Sequence, residues 1–214
     1  MTYAELCAEV SGLLEIEAQD YDRMNVGKSV NRAIKHMINR LPAAYVPQCI
    51  KSVVLDLELI GCQEVPVDFV RRLNVRVLYS GTIPSSGLGI PCEWIPQDQW
   101  PPTGLNHMPT TANPVYTHVS DFYGIPSTGG VGLIAVLPLP SPAKVTDGFW
   151  LQYLGFGDAV DVSHPVPFGP HLWPALIQKT CEYVCLVENY DPARAAIFAA
   201  DFEKEIEGII VVGK

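Results

Sequence analysis

The sequence predicts an α+β protein in which an N-terminal and a C-terminal helix pair form one helical bundle, with an antiparallel β-sandwich or small barrel inserted between them. Three observations predict it. Apolar residues recur at helical spacing as far as Leu41, then alternate with polar ones from Ile50, which is the period of a strand. Of the 19 prolines, 11 fall between residues 81 and 150, cutting that stretch into short runs. Helical spacing then returns near His171. The expected division is 1–48 plus 168–214 as the helical domain and 49–167 as the β-rich domain.

The first helix starts at Thr2-Tyr3-Ala4-Glu5, the spacing of a capping box, and places Leu6, Val10, Leu13 and Leu14 on one face. A second helix is expected from about Asp22 to Leu41, with Val26, Val30, Ala33, Ile34, Met37, Ile38 and Leu41 as its stripe and Pro42 as its stop. A turn at Asp20 makes the two a hairpin. In the next stretch Val53, Leu55, Leu57 and Leu59 alternate with Val54, Asp56, Glu58 and Ile60. From Val67 to Tyr79, Phe69, Leu73, Val75 and Val77 alternate with Arg72, Asn74 and Arg76, a second strand pattern. Further short strands are expected at Val115–Phe122, Val131–Leu137 and Phe149–Leu154.

Near the end, Leu172, Leu176, Ile177, Thr180, Tyr183, Val184 and Val187 make a broad apolar helix face, with Pro174 suited to the first turn. Asp191-Pro192 reads as the N-cap and first residue of a last helix carrying Ala195, Phe198, Phe202 and Ile206. Gly208 is expected to end it, leaving Ile209 to Lys214 as an apolar, β-prone tail.

Composition narrows the classes. The 214 residues are 48% hydrophobic and 17% charged, enough to bury roughly 70% of the unfolded surface. A net charge of −9 argues against a surface that grips phosphates. The six cysteines are spread along the chain without a CxxC pair, so reduced, mostly buried thiols in a cytoplasm are expected. No secretory signal is expected from the polar, helical start. The longest charge-free run, Phe122 to Ala143, is broken by prolines and glycines and reads as strands with turns instead of a membrane span.

Motifs that could carry chemistry have plainer readings. Val26-Gly27-Lys28-Ser29 resembles the end of a phosphate-binding loop, but Asp22 stands where that loop needs its first glycine, and the segment lies in a helix. Cys181 and Cys185 share a helix face and read as core packing, since two further metal ligands would have to come from elsewhere. His36, His107, His118, His164 and His171 have no metalloenzyme spacing, and Ser163-His164 lies in no nucleophile motif. Asp201, Glu203, Glu205 and Glu207 read as a solvated helix face. No catalytic, cofactor-binding or metal-binding residue is expected, and no cofactor. Trp94, Trp100, Phe122 and Tyr123 are candidates for a subunit contact or for core, because Trp and Tyr are favoured at interface hot spots.

Several local patterns, in sequential order, resemble the head-to-tail adaptor (tail-tubular) proteins of short-tailed bacteriophages. They are Asn31-Arg32-Ala33-Ile34 leading to Leu41-Pro42, Val65-Pro66-Val67-Asp68-Phe69-Val70-Arg71 before a strand, Asn113-Pro114-Val115-Tyr116, Leu137-Pro138-Leu139-Pro140, and Leu151-Gln152-Tyr153 ahead of two C-terminal helices. The likeness spans nearly the whole chain, except the proline-rich segment 83–114. It implies a non-enzymatic virion protein, a homo-oligomeric ring of usually twelve copies that docks under the portal protein and receives the tail nozzle protein. Double-stranded DNA would pass through transiently, no membrane would be involved, and the protein would reside in the tail or neck after assembly in the host cytoplasm. The resemblance also implies a terminal segment that latches onto the portal. Ile206, Ile209, Ile210, Val211 and Val212 are the candidates, either as an exposed strand that pairs with another chain's sheet edge or as a last turn folded back on its own core. Two alternatives stand beside it. One is another neck or tail-completion protein. The other is a small-molecule or carbohydrate-binding module or enzyme using the β lobe, with Trp94, Trp100 or Trp150 stacking on a ligand in a deep pocket.

Overall fold

A computed structural model of the chain describes residues 1–15, 26–58, 61–79, 89–100, 108–119, 121–122, 125–126, 132–141, 144–157, 163–187 and 191–212. The expected turn at Asp20 and the start of the second helix lie outside them. The chain divides into two units, Met1–Cys49 with Gly157–Lys214, and Ile50–Phe156. The second unit therefore ends at Phe156, before the expected residue 167.

The first unit holds α1 (Tyr3–Leu14), α2 (Val26–Arg40), α3 (Trp173–Val187) and α4 (Pro192–Val212). At the start of α1 the Glu5 amide donates to Thr2 Oγ1 at 3.3 Å and the Thr2 amide donates to the Glu5 carboxylate at 2.7 Å, closing the capping box. α2 buries Val26, Val30, Ala33, Ile34, Met37 and Ile38, as its stripe requires. α3 packs against α1, α2 and α4, and buries Leu176, Ile177, Thr180 and Val184. The Arg194 amide donates to Asp191 Oδ1 at 2.9 Å, so Asp191 caps α4 ahead of Pro192. Gly27, the glycine of the phosphate-loop look-alike, is a packing notch: a Cβ there would stand 2.0 Å from the Tyr3 hydroxyl.

α4 departs from expectation by running through Gly208 to Val212. Contacts on both sides of Gly208 anchor the helix. Ile206 is 1% exposed, and the Tyr45 hydroxyl donates to the Ile209 carbonyl at 3.3 Å. Tertiary anchoring of this kind outweighs the roughly 1 kcal/mol helix penalty of a glycine.

The second unit holds β1 (Ile50–Leu57), β2 (Cys62–Glu64), β3 (Phe69–Val77), β4 (Ile90–Pro91), β5 (Glu93–Trp94), β6 (Val115–Val119), β7 (Asp121–Phe122), β8 (Ile125–Pro126), β9 (Leu133–Leu137) and β10 (Val145–Gly155). They form a four-stranded sheet in the order β1-β10-β3-β4, a second in the order β2-β9-β6-β5, and a small β7-β8 hairpin. Neither four-stranded sheet closes into a barrel. Leu57, Val75, Val77, Phe149, Leu151 and Tyr153 of the first sheet share one core with Tyr116, Ile134 and Val136 of the second. At the expected 115–122 strand, the pairing of β6 with β9 stops at Val119 and Asp121–Phe122 turns into the hairpin.

Among the described residues no helix is long and apolar enough to cross a membrane.

Candidate interaction surface

All three arginines of the β unit, Arg71, Arg72 and Arg76, lie on β3. Strict alternation would put Arg72 on the same wet face as Asn74 and Arg76. The register corrects that expectation. Gln152 pairs with Asn74 but Tyr153 with Arg72, so Leu73 is an extra residue in β3. Such a bulge reverses the phase of the side chains that follow it. Arg72 consequently turns to the side of Tyr153 and the shared core.

There the Arg72 Nε donates to the Tyr116 hydroxyl at 3.1 Å, and its guanidinium lies 4.4 Å from the Trp94 ring centroid and 5.7 Å from that of Tyr116. Trp94 is 46% exposed at the edge of the second sheet. Burial raises the Tyr116 phenol, partly offset by Arg72. Arg76 keeps the outward phase and sits 5.8 Å over its cross-strand neighbour Trp150, which faces Val54 on β1. The Nε of Arg76 is buried without a hydrogen-bond partner. Among the described residues neither Arg72 nor Arg76 has a carboxylate within ion-pair distance. Both cations are held by aromatic faces, an arrangement that orients a guanidinium and leaves N–H groups for an incoming anion.

The other candidates are dispersed. Trp100 packs half-buried against Cys62, Leu133 and Ala135 on the second sheet. Phe122 lies in β7, and Tyr123 is outside the described residues. Trp94, Trp100 and Trp150 therefore have three separate surroundings. The strand latch is corrected to helix: Ile206 is buried in its own core, Ile209 is half-buried, and Ile210, Val211 and Val212 belong to the last turn of α4.

Two titratable clusters have internal partners. In the β unit the Asp68 carboxylate accepts from Lys51 Nζ and, at 3.1 Å, from the Tyr153 hydroxyl. Burial would raise Asp68, but these bonds outweigh it and hold the carboxyl below its ordinary value. Burial, then the Asp68 carboxylate, pushes Tyr153 up to about 12. Gly155 leaves room for this cluster, since a Cβ there would lie 2.6 Å from the Tyr153 ring and 2.9 Å from Asp68 Oδ2. In the helical unit, Lys179 and Glu182 form an ion pair at 2.8 Å with side chains only 9% and 12% exposed. The Lys179 ammonium lies 5.1 Å from the Tyr183 ring and 4.9 Å from the Phe202 ring. His36 closes the cluster with Nδ1 3.3 Å from the Tyr183 hydroxyl and its ring edge-on to Phe202. Burial, then Lys179, lowers its pKa.

The thiols are shifted away from reactivity, because burial pushes Cys7 and Cys62 up to about 11 and Cys92 and Cys181 up to about 12. Among the described residues no group of three His, Cys, Asp or Glu could hold a metal ion. Sequence reasoning passed over Arg72, Arg76 and the partnership with Trp150. The only local signal was three arginines within six residues of one strand. The chain matches no family model and no curated protein.

Proposed function

We propose that the chain is a structural virion protein, the subunit of a head-to-tail adaptor ring that links the portal to the tail nozzle and lines the DNA channel. The observation that supports this reading most is the insertion itself: a β unit of residues 50–156 lies in sequence between two helix pairs, in the order the resemblance implies. On this reading the helix pairs make one bundle, the β unit is a separate lobe, and the ring holds usually twelve copies in the tail or neck of the virion. No cofactor or catalytic residue is required. An acidic subunit suits the role, because a negative lumen lets double-stranded DNA slide through without adhering. Half-exposed Trp94 with its stacked arginine is the type of group that concentrates binding energy at a subunit contact. Many copies would also multiply a weak contact of each α4 end with the portal into strong avidity.

The test is mass photometry of the purified chain, alone and mixed with the portal protein encoded beside it. A ring-sized species that appears with the portal, and is lost on deleting Ile209 to Lys214, is the expected result. A stable monomer or dimer indifferent to the portal would overturn the reading and send attention to ligands of the β unit.

A further inference from the structure

The outer face of the first sheet is laid out in cross-strand rows. One row runs Val54, Trp150, Arg76 and Pro91 across β1, β10, β3 and β4. The next runs Ser52, Gln152 and Asn74. Neither row contains an acidic residue. Val54 is 50% exposed, and Arg76 sets its guanidinium over Trp150 with no carboxylate within ion-pair distance among the described residues. A fixed cation, an aromatic ring and an aliphatic neighbour on a flat sheet are what an acidic, partly apolar surface would fit.

The chain carries such a surface on its other unit. The helical unit has fifteen of the acidic residues, and α4 places Asp201, Glu203, Glu205 and Glu207 within two turns. Asp201 is neutralised by Lys204 and Glu203 by Arg40, each at 2.8 Å. Glu205 and Glu207 are exposed and have no cationic partner among the described residues, and Ile197 is an exposed apolar residue of the same helix.

We infer that the face around Val54, Trp150 and Arg76 receives the α4 carboxylates Glu205 and Glu207 of a second copy of this chain. The inference rests on the ring reading above and deepens it. Two different surfaces of one chain meet head to tail, the contact type that propagates around a closed ring. The uncompensated arginine and the uncompensated glutamates explain each other, since opposite potentials across an interface raise the association rate and fix its register.

The experiment measures ring formation by the full chain with its portal, using wild type, Arg76→Gln, Arg76→Glu, Glu205→Lys/Glu207→Lys, and the combination of Arg76→Glu with both lysines. Circular dichroism checks that each variant folds, and the α4 pair serves as the arm least able to disturb the fold because both side chains are exposed. Each one-sided change should raise the concentration for half-assembly by about tenfold or more, and the combined charge swap should recover most of that loss. Wild-type rings that tolerate the α4 pair and Arg76→Gln unchanged would overturn the contact while leaving the ring reading standing. Loss of portal binding with self-association intact would assign the face to the portal and overturn it as well. A wild-type chain that never assembles would remove both readings together.

Discussion

Lys179 of the helical unit and the arginines Arg72 and Arg76 of the β unit are accommodated in opposite ways. In the helical unit the buried cation Lys179 has its carboxylate beside it on the same helix, and the outer pair Arg40–Glu203 spans α2 and α4. Among the described residues of the β unit, Arg72 and Arg76 meet aromatic faces, with the phenol of Tyr116 for Arg72, and no carboxylate within ion-pair distance. Desolvated ion pairs hold specific packing at a cost, and breaking one leaves an unpaired buried charge. A guanidinium on an aromatic ring keeps N–H groups to spare, so it costs less to leave unpaired and remains free to meet a partner. The difference teaches that the buried ammonium is committed to internal packing, whereas the two guanidinium groups keep donors to spare.

The strongest way to break that comparison is Lys179→Ala, which strands Glu182 in a site where its side chain is 12% exposed. It should cost about 3 kcal/mol in urea unfolding, and Lys179→Met with Glu182→Leu should recover most of it. An equal cost for both variants would show that the pair is not the determinant. Arg72→Ala should cost less, about 1–2 kcal/mol, from one hydrogen bond and one stacking contact. A cost as large as that of Lys179→Ala would mean that Arg72 is a buttress of the core the two sheets share.

A smaller effect should follow pH. The folded pKa of His36 is lowered from 6.5, so the unfolded chain takes up the proton first. Its contribution is fully present above pH 6.5 and is lost as pH falls toward the folded value. Groups facing it are Lys179 and Arg40, which oppose protonation, and Glu182 and Glu203, which favour it. His36→Gln should flatten unfolding stability as pH falls below 6.5, and an unchanged slope would exclude His36 as its source. Smallest of all, Arg40→Ala removes a half-exposed pair and should cost under about 1 kcal/mol, vanishing in high salt.

Much of the helical unit was legible because its signals are local. Thr2 and Glu5 cap within one turn, Asp191 caps α4, and the stripe Ala195, Phe202 and Ile206 needs only the helical period to be read. The longer strands were legible as periodicities but not as partners, and the two- and three-residue strands β2, β4, β5 and β8 were not legible at all. Nothing near Arg76 in sequence announces Trp150, 74 residues later, and nothing near Leu73 announces a bulge. The end of α4 was misread for the same reason: Ile209 to Val212 is β-prone by composition, and the Tyr45 contact that secures the helix comes from 164 residues earlier.

The sequence by itself therefore determined the four helices, the longer strands and their order, the caps and most of the apolar faces, all set by interactions within a few residues. Tertiary structure alone decided the sheet order, the bulge that turns Arg72 inward, the rings beneath the arginines and the helical end of α4. Those depend on which distant residues meet, and hydrogen-bond register and burial across strands and helices are properties of the folded chain that no local window contains.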